Sequence, residues 1–298
     1  MDDPGAESRA VDVFEMRLVD IDTVDVAQLL ALSVSVRWPH RAEDWQLMRS
    51  LGRGFVALDE IGRACGSAMW FPYTDGFAAV GMVITAPRLQ ALGAGHWLMT
   101  RVMAECGART LRLNATHAAY RLYRSLDFIR QRTLYQCQGQ AAGAAAEAVA
   151  AHGVRQLTEA ELSLVIDGDA QAYGVPRTKL MTALFQRSRG YGLFRSGQLA
   201  AFALCRPFGR GHVIGPVVAS SDADAIAVVA PHVAAHAGRF LRLDTHGEGD
   251  EFRGFIASAG LALFDTVTTM SLGGDVVGAE QTSDGRPMTY AVVSQAFG

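Results

Sequence analysis

The sequence predicts an α+β protein of two similar lobes, each a mixed, mostly antiparallel sheet flanked by helices. Two observations carry this expectation. Apolar runs of strand length pair into a hairpin and give way to a strand–helix–strand run, which needs both antiparallel neighbours and a crossover. The same order of elements returns about 130 residues later. Between the copies lies GQAAGAAAEAVAAHG, an Ala- and Gly-rich stretch suited to a linker or a lone connecting helix. The expected organisation is a first domain over 1–138, a linker over 139–153 and a second domain over 154–298.

Taken in order, Phe14 to Asp20 reads as a strand, and Val24 to Leu51 as one or two helices broken near Trp38-Pro39. Phe55-Val-Ala-Leu and Ala64-Cys-Gly-Ser-Ala-Met-Trp form a hairpin about Asp59-Glu-Ile-Gly-Arg. The charges Asp59 and Glu60 in that turn are expected to be solvated. Ala78 to Thr85 is a strand running into Pro87. The helix from Gly93 to about Cys106 carries Leu98, Val102 and Cys106 on one stripe. Leu111-Arg-Leu-Asn is a short strand, Ala118 to Leu126 a helix, and Arg132 to Gln138 a closing strand.

The second half answers the first. Gly192 to Leu204 repeats the hairpin, and Val213-Ile-Gly-Pro-Val-Val-Ala-Ser matches Ala79-Val-Gly-Met-Val-Ile-Thr-Ala, glycine over glycine. A helix from Asp222 to His236 follows. Leu241-Arg-Leu-Asp then echoes Leu111-Arg-Leu-Asn, and Ser258-Ala-Gly-Leu echoes Ser125-Leu-Asp-Phe. Four matches in one order indicate a duplicated domain, with a period too long for a solenoid. Each copy should own a separate sheet.

Composition narrows the function. With 298 residues, half of them apolar and 19% charged, each half can bury a core. A net charge of −3 and the lack of a basic block with interleaved aromatics argue against nucleic-acid binding. The acidic start MDDPGAESRA is unlike a secretory signal, and no long apolar run suggests a membrane span, so a cytoplasmic location and no membrane partner are expected. Cys65, Cys106, Cys137 and Cys205 lie far apart among apolar neighbours, as buried free thiols do.

The sharpest chemical signal is Gln90-Ala91-Leu92-Gly93-Ala94-Gly95-His96, set between a strand and a helix. The first turn of a helix leaves backbone N–H groups without partners and attracts anions. Glycines at 93 and 95 remove side chains that would hold a pyrophosphate off those groups. Leu98 stands where a dinucleotide fingerprint requires glycine, and the Gly-Lys-Ser/Thr ending of a P-loop is missing.

Strand–Pro–Gln-x-x-Gly-x-Gly–helix resembles the pyrophosphate motif of the GNAT superfamily of acyl-CoA N-acyltransferases. Ala119-x-x-Leu-Tyr-x-x-Leu-x-Phe128 resembles the helix that comes after it there, and the likeness spans roughly 14–138 in element order. The resemblance implies acetyl-CoA as co-substrate, lying between two splayed strands. Val83, Ile84 and Thr85 would be the main-chain contacts to the pantetheine arm, and Gln90 to His96 the diphosphate loop. Thr116 stands where many members have a CoA-contacting Asn, and Ala119 opens the helix motif. Asp127 replaces the usual glycine before Phe128. Tyr123 matches the tyrosine that protonates the departing thiolate; packing on its helix stripe is the plainer alternative. No general base is assigned.

The second copy has Ala219-Ser-Ser-Asp-Ala-Asp-Ala in place of the glycine loop, and acids there cap a helix but repel phosphate. Ile256 falls opposite Tyr123. The second domain therefore resembles a degenerate GNAT domain and is expected to shape the acceptor side. Trp38 and Trp70 from the first half, with Asp244, His246 and Glu248 from the second, are the candidate acceptor contacts for a small-molecule amine. A calcium reading of the Asp244 loop fails because Phe255 stands where a bidentate Glu is needed, so no metal is expected. A homodimer is compatible with the reading. The function expected is acetyl or small-acyl transfer from acetyl-CoA to a primary amine; the alternative is a non-catalytic acyl-CoA or small-molecule sensor on the same scaffold.

Overall fold

The computed structural model describes residues 8–11, 14–90, 92–144, 152–247, 250–274 and 286–298. It divides into two compact units, Met1–Leu111 and Arg112–Gly298. The α+β class stands, with a mixed and mostly antiparallel set of strands flanked by helices.

In the first unit β1 (Ser8–Val11), β2 (Phe14–Asp20), β3 (Arg53–Leu58), β4 (Ala64–Thr74) and β5 (Phe77–Thr85) form an antiparallel meander in chain order. Helices α1 (Val26–Ser35) and α2 (Ala42–Leu51) break apart around Trp38-Pro39, as the proline predicts. Asp25 caps α1 by accepting the Ala27 N–H at 2.8 Å. Trp45 of α2 is fully buried and gives its indole N–H to Ser33 Oγ at 3.2 Å, so its polar end is satisfied. Helix α3 (Ala94–Cys106) buries Leu98, Val102 and Cys106, the stripe the sequence marks.

Strand β5 carries a bulge. The register against β4 jumps between Ser67↔Ile84 and Met69↔Gly81, Met82 takes a left-handed φ of 52°, and Ser67 Oγ donates to Met82 O at 2.7 Å. A bulge of this kind bends a strand and re-aims the residues beyond it. Those residues are Val83–Thr85, which lead into the loop over Gln90 to His96.

The second unit corrects the expected strand pairing. Its sheet runs β6 (Thr110–Ala115), β13 (Ala262–Leu272), β7 (Ile129–Gln140), β12 (Phe240–Thr245), β14 (Met288–Ala291), β11 (Gly211–Ala219), β10 (Gln198–Phe208), β9 (Arg189–Arg195), β8 (Val154–Gln156). The last strand of the first repeat, β7, therefore pairs with second-repeat strands on both edges: Leu134↔Val267 on one side and Cys137↔Leu243 on the other. Its counterpart β13 lies in turn between β6 and β7. The repeats have exchanged their final strands. Leu241–Asp244 is the strand the repeat predicts, but separate sheets divided at 139–153 do not form. By compactness the chain divides after Leu111, with β7 paired to β12 and β13 inside the second unit.

Helices α5 (Leu162–Tyr173) and α6 (Thr178–Phe185) and the strand β14 come in addition to the elements that the repeat predicts. A fully buried two-pronged pair, Arg177 to Asp169 at 2.8 Å for each bond, ties α5 to the start of α6. Removing one partner would strand a charge at a cost of about 3–5 kcal/mol. Beyond these come α7 (Asp222–Ala235) and α8 (Asp250–Ser258). The helix expected over Ala118–Leu126 is only α4 (Tyr120–Arg124), ended by Asp127 at φ 62°. All four cysteines are free and buried. Among the described residues no helix is long and apolar enough to cross a membrane.

Candidate functional site

After β5 the chain makes a short 3-10 turn, Pro87–Leu89, pinned by Ala86 N–H to Cys65 O at 2.8 Å and by the buried Leu89 side chain. Gln90 turns back and gives its side-chain N–H to Thr85 O at 3.1 Å, which joins the strand end to the loop. Gly93 is the N-cap of α3 at φ 90°, a conformation that side chains disfavour, and a Cβ built on it would meet nothing within 4 Å. No side chain caps α3, and no acid stands in its first turn. The first-turn N–H groups thus have no side-chain cap, and with the positive end of the helix dipole they suit an anion such as the diphosphate of CoA. Ala94 is buried, Gly95 half-buried, and Leu92 and His96 are exposed. Val83 and Thr85 are half-buried and Ile84 is buried. Ala91 lies outside the described residues.

Asp59 departs from its expectation. It is not a solvated turn charge but 7% exposed, accepting four bonds: the Ile61 and Arg63 N–H groups, Arg63 Nε at 3.0 Å and Arg88 Nη2 at 2.8 Å. Arg88 belongs to the turn just before Gln90. The signal available in the sequence was Asp-x-x-x-Arg in the hairpin turn with a second Arg after Pro87.

In the second unit, Thr116 and Ala119 open the segment that carries Tyr123. Ala119 N–H bonds Thr116 O at 3.1 Å, and Tyr123 N–H bonds Ala119 O at 3.2 Å. Tyr123 is 4% exposed and meets Phe128 edge-on, with ring centroids 5.8 Å apart. Burial pushes its phenol above the ordinary value, so it stays protonated at neutral pH. His117 Nε2 lies 3.0 Å from Thr266 Oγ1.

The matching place in the second repeat is filled by the chain itself. Strands β11 and β12 run parallel from His212↔Leu241 to Ile214↔Leu243; beyond that β14 takes over, pairing Val217↔Ala291 with β11 and Thr245↔Ala291 with β12. Gly215 leaves no room there, because a Cβ would collide with Val292 O. At the start of α7, Ser221 caps the helix, and Asp222 accepts from Tyr290 OH of β14 and from Phe252 N–H, each at 2.9 Å. Asp224 takes a two-pronged bond from Arg195. Ile256 stands in Tyr123's place: Leu261 N–H bonds Ile256 O as Phe128 N–H bonds Tyr123 O.

The profile of the acetyltransferase (GNAT) family matches residues 24–128, and that of an acetyltransferase (GNAT) domain matches 165–283. The chain is a tandem GNAT protein. It is similar over 98% of both chains to a structure from Pyrococcus horikoshii described as an acetyltransferase, at 17% identity and TM-score 0.78. A tandem GNAT protein from the clavulanic acid biosynthesis pathway matches over 87% of this chain and 99% of that one, at 16% identity and TM-score 0.63. A GCN5-related N-acetyltransferase from Sphaerobacter thermophilus matches over 86% and 95%, at 13% identity and TM-score 0.60. No curated protein matched. The GNAT fold supports acyl transfer in general.

The acceptor residues expected from the sequence fare unevenly in this tandem GNAT chain. Trp70 is buried against Phe55, ring centroids 5.8 Å apart, and is a core residue. Trp38 is half-buried, edge-on to His40 at 6.0 Å. Asp244 is fully buried and neutralised by Arg242 through bonds of 2.9 and 2.6 Å, so it is no free anion for a cationic amine. His246 lies with Nδ1 3.1 Å from Thr133 O, and burial, then the nearby Arg132, lowers its pKa to about 3. It is neutral and buried. Glu248 lies outside the described residues. No group of three or more metal-ligating side chains occurs among the described residues.

Proposed function

We propose that this GNAT protein is an N-acyltransferase that takes an acetyl or small acyl group from acetyl-CoA and gives it to a primary amine. The observation that carries the reading is the contrast between two helix starts. That of α3 is uncapped, acid-free and glycine-lined, while that of α7 is capped and bonded to its own chain. Gln90 to His96 would hold the diphosphate, and Val83 to Thr85 the pantetheine arm. When bound, the cofactor supplies an activated thioester carbonyl.

Tyr123 is the proton donor in this reading. A phenol is protonated at neutral pH and can give its proton to a departing thiolate, and general-acid help is commonly worth about 10²–10⁴ in rate. The acceptor is a small-molecule amine that attacks directly as the neutral base: the C–N bond forms, the C–S bond breaks, sulfur takes the Tyr123 proton, and the proton shed by nitrogen passes through water and restores the phenol. The test begins with a thermal shift on adding acetyl-CoA, followed by CoA release across an amine panel. Tyr123→Phe keeps the packing against Phe128, and it should lower kcat about 10²-fold while CoA affinity holds. Unchanged turnover would make Tyr123 a core residue. Binding with no CoA release from any amine would favour a sensor.

A further inference from the structure

A cofactor loop built on Gln90 to His96 accounts for the diphosphate of CoA but not for its other phosphate, the 3′-phosphomonoester on the ribose. We propose that Arg88, oriented by the buried Asp59, binds that 3′-phosphate; the proposal rests on the cofactor reading above.

The geometry is that of a pre-set anion ligand. Both Asp59 oxygens are committed, Oδ1 to two backbone N–H groups and Oδ2 to Arg63 Nε and Arg88 Nη2. Burial pushes the carboxyl up, but the bonds from Arg63 and Arg88 outweigh it and hold the group below its ordinary value. Asp59 is thus a fixed anion at the root of the loop. It takes one N–H of Arg88, whose side chain remains 46% exposed. A half-exposed guanidinium held through one nitrogen by a buried acid keeps further N–H donors with which to meet an oxyanion. It stands two positions before Gln90, on the turn that leads into the cradle. Arg63, 60% exposed on the same carboxylate, adds a second cation.

Calorimetric titration with CoA and with 3′-dephospho-CoA tests the proposal. The wild type should bind CoA about tenfold or more tightly than the dephosphorylated form. Arg88→Ala should erase that preference while leaving affinity for 3′-dephospho-CoA unchanged. Arg88→Lys should keep part of it. Asp59→Asn, with its melting temperature checked, keeps the cation but frees it, and should shrink the preference. An equal loss for both ligands in Arg88→Ala would overturn the proposal in favour of a latch holding the loop to the hairpin, as would a wild type indifferent to the 3′-phosphate. Binding of neither ligand by the wild type would bring down the cofactor reading itself.

Discussion

Two helix starts in this chain descend from one pattern and have taken opposite chemistry. Before α3 the chain places Gly93 at φ 90°, leaves the helix uncapped and keeps acids out of its first turn. Before α7 it places Ser221 as a cap and Asp222 and Asp224 within the first turn. Ser221 Oγ caps the helix by accepting the Asp224 N–H at 3.2 Å, and the two carboxylates add negative charge at its start, held by Phe252 N–H, Tyr290 OH and Arg195. The strand β14 completes the filling by pairing where β11 and β12 part. An anion site is made by withholding partners, and it is unmade by supplying them.

The strongest way to break the comparison is to give α3 what α7 has. Gly95→Asp adds bulk and negative charge to the open helix start, and CoA affinity should fall about a thousandfold, or about 4 kcal/mol, by titration of the folded variant. Unaltered affinity would show that the open end is not a phosphate site.

A second difference between the two helices should appear in pH. Helix α7 buries His232 completely; burial, above all, lowers its pKa to about 4 despite a bond of 3.1 Å between Nε2 and Ala203 O. The unfolded chain takes up that proton near pH 6.5 and the folded chain only near 4. Its contribution to stability is therefore fully present above about 6.5 and is lost as pH falls through that window, on the order of 3 kcal/mol. His246, lowered to about 3, acts in the same sense. Melting curves from about pH 7 to about pH 4 should show the loss, with a shallower slope in His232→Gln. Parallel slopes would place the acid sensitivity elsewhere.

Asp222→Ala sharpens the comparison from the filled side. It deprives Phe252 N–H and Tyr290 OH of their acceptor, and should cost about 1–3 kcal/mol in chemical denaturation while CoA affinity stays unchanged. A change in affinity would mean that the second helix start also serves the ligand.

The smallest effect concerns the turns after α4 and α8. Asp127 sits at φ 62° where its counterpart Gly260 sits at φ 83°. Asp127→Gly should relieve the left-handed strain and stabilise by about 0.5–1 kcal/mol. Gly260→Asp should do the reverse and more, since a Cβ there would collide with Gln140 O. Equal and opposite small effects would mean that crowding against Gln140 contributes nothing.

The sequence by itself determined what was local. Strand and helix periods, Pro87 and the glycines at 93 and 95 set the hairpins, the α3 stripe and the open helix start, because each depends on neighbours a few residues away. The order of the repeats was legible for the same reason, as was the loss of glycine and tyrosine in the second copy. The tertiary structure alone decided which edges the strands would meet. The pattern of β7 marks it as a strand, but nothing in a period of two says that its partners are β12 and β13 rather than strands of its own repeat. The fate of charges was decided in the same way. In the sequence Asp59 reads as a solvated turn charge and Asp244 as a free acid for an amine; both are buried because Arg63, Arg88 and Arg242 are folded onto them, and a carboxylate is kept inside only where such partners converge.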